Sequence, residues 1–528
     1  MRSAVSWVLV SFAACGGDDT SSLPGADASL PDGSLADVRA DVLPRPSLPP
    51  FDWVGVIGTG QSLSVGATAK VMTTTQPFHN MKLVDTGPNP KYPIAADSGA
   101  PAWATAPLVE PIRAASAGNG PGYTDGQYPN DIFGETPHSG MANTLTPLWN
   151  ANGGVGEYVT AHTVVGWSGH CLSQIDKAGG MRAYPASLEE TRVWKSLAGA
   201  EKKSFGVGGI VLTHGECDAG NGNYGAGLWQ LLQDYDTDLK AITQQTSNVA
   251  LLVSQQSTIA SGPTGSAVQV WKAGVDHVGR IVCTGPKYAY QYSPDRLHFP
   301  APGYERLGQK YAEVFDAVVN REVAWAPLQP KKVARVGAVV TIDFNVPNPP
   351  LVWDSHVTPP HQSVNTEWAA GKGFEVWLGN TRLTIGQVVI SADTVTLTLA
   401  KDPGVGKVTV GYATVQDGQG HQGGTDLGLR GLLRDSDEFA GWDEETVEAS
   451  LTNGSAVAMS TTPGAFVHRT GRDLVTGQNI ASDTIVQSHD TDDQLTLSAA
   501  WSGPTSKVAL EMHHDERNWC VHFSMDEQ

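Results

Sequence analysis

Basic side chains are scarce in this 528-residue chain: 34 Lys and Arg stand against 54 Asp and Glu, a formal net charge of -20. The absence of a basic stripe to displace counterions from phosphates argues against a nucleic-acid partner, and electrostatic docking on an anionic bilayer is disfavoured. Cysteine is scarce too, five in all, with no CxxC pair, and the spacing fits no structural zinc site. No internal repeat is visible. The apolar run at the start, Ala4 to Ala14, is too short to span a membrane.

That run follows Met1-Arg2 and ends at Cys15, which reads as a secretory signal. Phe12-Ala13-Ala14-Cys15-Gly16-Gly17 resembles a bacterial lipoprotein lipobox, and the resemblance implies that Cys15 is the lipid-modified amino terminus of a cell-surface or periplasmic protein. Phe12 stands where that pattern usually has Leu, so plain secretion is the alternative. Residues 16 to 50, dense in Ser, Asp, Pro, Gly and Ala, form a tether. The length suggests two or three domains. The divisions are 1–15 signal, 16–50 tether, 51–326 an α/β domain, 327–435 a β-sandwich and 436–528 a small β-rich extension. The 59 Gly and 15 Trp point to a loop-rich protein with aromatic surfaces.

From Phe51, strand-like and helical runs alternate, which implies a parallel sheet covered on both faces. Strands are predicted at about Trp53 to Gly58, Tyr158 to Val165, Val207 to Thr213, Val249 to Ser254 and Arg280 to Thr284. Helices are predicted at His138 to Trp149, Leu188 to Ala200, Leu228 to Gln244, Val268 to Val278 and Pro302 to Val319. Between Ser62 and the first helix lies a Gly/Pro-rich passage, roughly 72 to 137, without regular structure of its own. It is expected to wall a cleft, with Trp103, Tyr123 and Tyr128 as candidate sugar-stacking platforms or plain loop packing. After Pro327 the period switches to two, the pattern of an antiparallel sandwich.

Two stretches carry the chemistry. Asp295-Arg296-Leu297-His298 puts a carboxylate three residues before a histidine, so that one ring nitrogen is bonded and the other is free to act as a general base. Gly60-Gln61-Ser62-Leu63-Ser64 follows the apolar run Val54 to Gly58 and presents a serine at the carboxyl edge of a sheet, where open α/β folds place their sites. Ser62 at its free pKa is a poor nucleophile, and His298 has the local carboxylate geometry to activate it.

Four blocks, Gly60-Gln61-Ser62-Leu63, Trp167-Ser168-Gly169-His170, Gly215-Glu216-Cys217-Asp218 and Asp295-x-x-His298, resemble the ordered blocks of the SGNH (GDSL-like) hydrolases. Gln61 before the serine and the Gly-Glu-x-Asp block make the chain most similar to the sialate O-acetylesterase and acetylxylan esterase branch. The resemblance covers about residues 53 to 320. It implies a flavodoxin-like three-layer hydrolase domain and a Ser62-His298-Asp295 triad, with oxyanion donors at the Ser62 amide, the Gly169 amide and a side chain of the third block. The related esterases have Gln-Gly-Glu there, whereas this chain has His214-Gly215-Glu216. Either His214 takes the donor role through a ring N–H or the role is lost, and Glu216 is expected to orient the site from behind. Asp218 is either a loop-shaping or a plain turn residue. Cys171 and Cys217 each fall beside a block, where a disulfide would brace the loops. Three pairings of Cys171, Cys217, Cys283 and Cys520 stay open.

The expected activity is that of an exported serine esterase removing acetyl groups from a glycan, without metal or organic cofactor. The alternative is a non-catalytic carbohydrate-binding surface protein on a degenerate scaffold. An esterase of simple lipids is disfavoured by the scarcity of apolar lid helices.

Overall fold

Eight consecutive buried residues, Trp53–Gly60, make the first strand, β1. A strand buried on both faces belongs at the centre of a sheet with a layer on either side. The computed structural model describes residues 48–85, 103–112, 134–360, 370–437, 445–513 and 517–528. The expected lipidation site Cys15 and the expected cleft residues Tyr123 and Tyr128 lie outside the described residues.

Around β1 the chain builds β2 (Met81–Asp85), β3 (Trp103–Pro107), α1 (Pro137–Ala151), β4 (Thr160–Val164), α2 (Leu172–Ile175), α3 (Ala183–Ala200), β5 (Phe205–Thr213), α4 (Tyr224–Thr243), β6 (Ala250–Gln255), α5 (Ser266–Asp276), β7 (Ile281–Pro286) and α6 (Ala301–Phe315). The sheet runs β3-β2-β4-β1-β5-β6-β7. The parallel strands β4, β1, β5, β6 and β7 stand in the spatial order second, first, third, fourth, fifth, the flavodoxin-like order whose crevice opens where the winding reverses, between β1 and β5.

The side chains alternate as this layering requires. Val54, Val56, Val211, Leu252 and Val282 face α1 and α6, with Met141, Leu145, Leu307 and Phe315. Ile57, Val207, Ile210, Leu251 and Val253 face α3, α4 and α5, with Tyr184, Trp194, Leu228 and Trp271. Gly58 lets α1 approach: a Cβ there would lie 1.9 Å from His138 Nε2.

Two expectations need correction. The passage from 72 to 137 is not without regular structure, because β2 and β3 lie in it, and the sheet is mixed rather than wholly parallel, since β3 runs antiparallel to β2. Both strands are only five residues long, and β3, WATAP, is rich in Ala and ends on Pro. Such residues have weak strand preference and are tolerated at an edge, where tertiary pairing decides.

After α6 the chain is all antiparallel. One four-stranded sheet combines Thr381–Leu383, Phe374–Leu378, Val408–Tyr412 and Phe523–Asp526, and a second combines Ile385–Ser391, Thr394–Leu399, Val339–Asn345 and Gln329–Val336. Phe344, Phe374, Tyr412 and Phe523 pack ring against ring between them. The strand Phe523–Asp526 comes from the last residues of the chain, so the sandwich is completed by residues beyond 435. Residues 445–513 form a six-stranded sheet with its own core of Val447, Leu451, Phe466, Trp501 and Leu510.

Candidate active site

The chain leaves β1 through a turn that only glycine allows. Gly60 has φ +136, and a Cβ on it would meet Thr213 O of β5 at 2.1 Å. Gln61 N donates to the same Thr213 O at 3.1 Å, so the turn is tied to the neighbouring strand. Ser62–Ser64 then form one 3-10 turn, in which the Ser62 carbonyl accepts from the amides of Val65 and Ala67. Ser64 Oγ donates to Gln61 O at 2.6 Å and fills the space a side chain at Gly166 would need. Ser62 is thereby held at the carboxyl edge, at the β1/β5 switch point.

Opposite it stands the loop between β7 and α6. His298 Nδ1 lies 2.6 Å from Asp295 Oδ2, and His298 Nε2 lies 2.8 Å from Ser62 Oγ across 236 residues of sequence. Asp295 Oδ1 also accepts from the amides of Leu297 and His298, each at 3.0 Å. With its Nδ1–H donating a hydrogen bond to the Asp295 carboxylate, the neutral ring has Nε2 as its bare nitrogen, which accepts from the Ser62 hydroxyl. Partial burial pushes the Asp295 carboxyl up, but the bonds from the His298 ring and the two amides outweigh it and hold the group below the usual carboxylate range.

Gly169 has φ +72, with open space where a Cβ would project. Among the described residues the amides of Ser62 and Gly169 donate to no backbone carbonyl and to no side chain. For His214 two alternatives were open, a donor role or its loss. Its ring is fully buried, with Nε2 2.9 Å from His170 O and Nδ1 2.8 Å from Tyr224 Oη. Burial favours the neutral ring, whose single N–H is donated to the His170 carbonyl, so no donor is left for an oxyanion. The side chain instead ties the loop after β4 to that after β5.

Glu216 pairs with Lys287, and both are buried; Lys287 Nζ also reaches His214 O at 3.4 Å. Burial depresses the Lys287 ammonium and the Glu216 charge opposes that depression. Glu216 therefore has the Lys287 ammonium as its partner and makes no bond to His298 or Asp295. Asp218 shapes the same loops: it accepts from Leu172 N at 2.8 Å and from Asn221 Nδ2 at 2.9 Å. A Cys171–Cys217 disulfide joins them covalently, while Cys283 and Cys520 are free and buried. Trp103 begins β3, three strand positions from β1, roughly 14 Å at ordinary spacing. It packs against the main apolar core.

The structural part played by several surrounding residues was not foreseen from sequence. Gln61 Oε1 accepts from the amides of Gly215 and Cys217 at 3.3 and 3.2 Å, locking the serine turn to the β5 loop. Glu110 and Glu135 are buried, and Ser139 Oγ lies 2.9 and 2.8 Å from one oxygen of each. His138 Nδ1 lies 2.9 Å from His162 Nδ1. Apart from Gln61, which stands in the serine motif, and the Glu135–Ser139 pair four residues apart, these residues meet partners 24 or more positions away and have no local signal.

No family model and no curated protein matches the chain. Among solved structures, the chain is similar to an Arabidopsis thaliana protein at 15% identity over 51% of this chain and 100% of that one, with a TM-score of 0.35. It is similar to a carbohydrate acetylesterase from Xanthomonas citri at 11% identity, over 72% and 77% of the two chains, with a TM-score of 0.43. To NanS the identity is 10%, over 51% and 97%, with a TM-score of 0.30. Scores of this size leave the site geometry to stand by itself.

Proposed function

We propose that this protein is a serine esterase in which Ser62, His298 and Asp295 act together, removing acetyl groups from a carbohydrate. The observation that carries the reading is the unbroken line of hydrogen bonds from Ser62 Oγ through both nitrogens of His298 to Asp295. An uncharged serine hydroxyl attacks an ester only if its proton leaves as the bond forms, and Nε2 lies within reach to take it.

In the first half-reaction Ser62 Oγ bonds to the ester carbonyl carbon while its proton passes to His298 Nε2. The bond from carbon to the sugar oxygen then breaks, and His298 returns the proton to that oxygen, releasing the alcohol. In the second half, water gives its proton to His298, attacks the acyl-Ser62 carbonyl and frees the acid as Ser62 recovers its proton. Asp295 keeps the ring in the required tautomer and stabilises the transient imidazolium. The amides of Ser62 and Gly169 are the candidate donors to the oxyanion, each worth on the order of 3 kcal/mol of barrier. His214 has no part in that role.

The preference for acetyl and for a carbohydrate alcohol rests on the sequence resemblance to sialate O-acetylesterases and acetylxylan esterases. Export rests on the leader pattern and is supported by the Cys171–Cys217 disulfide, a bond that persists in oxidising compartments. The test is acetate release from acetylated glycans and from a chromogenic acetyl ester by the full chain. Turnover is expected for the unaltered protein and not for Ser62→Ala; equal rates in the two would overturn the assignment.

A further inference from the structure

The loop from Lys287 to Pro300, which carries Asp295 and His298, is held largely by residues far downstream. Tyr288 Oη donates to Cys520 O, and the Tyr288 ring meets Trp519 and His522 edge-on. Arg472 Nη1 donates to Ala289 O. Gln291 Oε1 accepts from Gly471 N at 2.8 Å and Thr470 Oγ1 at 3.3 Å. Gly423 N donates to Arg296 O at 2.9 Å, and Arg296 donates through Nη1 to Gln422 Oε1 at 3.1 Å. Arg296 itself has φ +58, a conformation unfavourable for a residue with a side chain. It sits between Asp295 and His298, so whatever holds Arg296 left-handed sets the distance from the carboxylate to the ring.

We infer that the C-terminal β segments position the Asp295–His298 turn, with Gln422 and Gly423 of the sandwich loop and Gln291 bound to Thr470 and Gly471 as positioning residues. The β modules are then part of the apparatus that aims the base at Ser62. Only the kinetic consequence of this inference rests on the esterase reading; the positional claim does not.

The experiment uses the full chain. Gly423 has no space for a side chain: a Cβ would lie 2.6 Å from Arg296 O and 2.6 Å from the Tyr292 ring. For Gly423→Ala the expectation is a kcat on a small acetyl ester reduced about tenfold or more with KM within about twofold, since misplacing a base costs rate before it costs binding. The low-field proton signal of the His298 Nδ1–H bonded to Asp295 is expected to shift or broaden. Gln291→Ala should do the same, and Gln291→Glu, which keeps an acceptor for Gly471 N and Thr470 Oγ1, should restore both readouts. A folded Gly423→Ala with unchanged kcat and unchanged proton signal would overturn the inference. Should that variant fail to fold, the Gln291 pair decides, and identical kcat and signal in Gln, Ala and Glu proteins would overturn it. Absence of Ser62-dependent turnover in the unaltered protein would instead defeat the esterase reading. The proton signal would then decide positioning alone: displaced in Gly423→Ala or Gln291→Ala it supports the inference, unmoved it overturns it.

Discussion

At the scale of the residue, the account turns on which nitrogen of His298 holds the proton. Asp295 fixes that choice, because Oδ2 at 2.6 Å from Nδ1 demands the N–H there and leaves Nε2 to Ser62. Asp295→Asn turns an amide N–H toward Nδ1 and reverses the tautomer, so kcat should fall by about 10⁴ while the fold is kept. Rates on the chromogenic ester would check it, and a loss of about tenfold or less would mean that Asp295 does not govern the ring. The Asp295–His298 contact was legible because both partners lie within one turn of chain. The presentation of Ser62 was legible because an apolar strand ending in glycine can leave the sheet only at its edge. The direction of the His214 ring was not, since sequence states a residue type and not which way it faces. Lys287 was illegible for a related reason: its partner Glu216 is 71 residues away, and nothing local marks a lysine as buried.

At the scale of the element, α1 is tied down by buried carboxylates. Glu110, just after β3, accepts from Thr136 N and Oγ1 at the start of α1, and Glu135 accepts from Met72 N, Thr73 N and Thr73 Oγ1. Burial, with the Glu135 charge adding to it, pushes the Glu110 carboxyl up to about 8. Ser139 Oγ can then accept from protonated Glu110 and donate to Glu135. The folded state keeps a proton here that the unfolded chain loses above pH 4.5. Stability from this group is therefore complete below about pH 4.5 and is lost as pH rises toward about 8, a decline on the order of a few kcal/mol. The buried rings of His138 and His522, pushed down to about 3 and about 4, change stability in the opposite sense over part of this range, so the difference between proteins isolates Glu110: in urea unfolding the unaltered protein should lose stability relative to Glu110→Gln as pH rises, and a difference independent of pH would refute the assignment. The helices other than the four-residue α2, and the strands β1, β4, β5, β6 and β7, were legible from their periodicity. β2 and β3 were not, because MKLVD and WATAP show no strand pattern strong enough to stand out from the Gly/Pro-rich passage around them, and pairing at the sheet edge decides.

At the scale of the whole molecule, one apolar cluster runs from the α3–α5 face of the sheet into the sandwich, where Trp271 of α5 meets Phe523. The sandwich is thus packed on the α/β layers rather than strung after them, and the end of the chain returns to complete it. Period-two patterning made strands after residue 327 legible but said nothing of where those sheets dock, since docking depends on contacts between residues 100 to 270 positions apart, such as Gln255 with His522 and Arg296 with Gln422.

The central proposal is that Ser62 is activated by His298, from the far end of the domain. The most direct test is intact-mass analysis after exposure to an organophosphonate, with the modified residue mapped by proteolysis. A single phosphonyl adduct on Ser62 is expected, with labelling slowed severely in His298→Ala. An unlabelled protein, an adduct elsewhere, or labelling of Ser62 at the same rate without His298 would contradict the account.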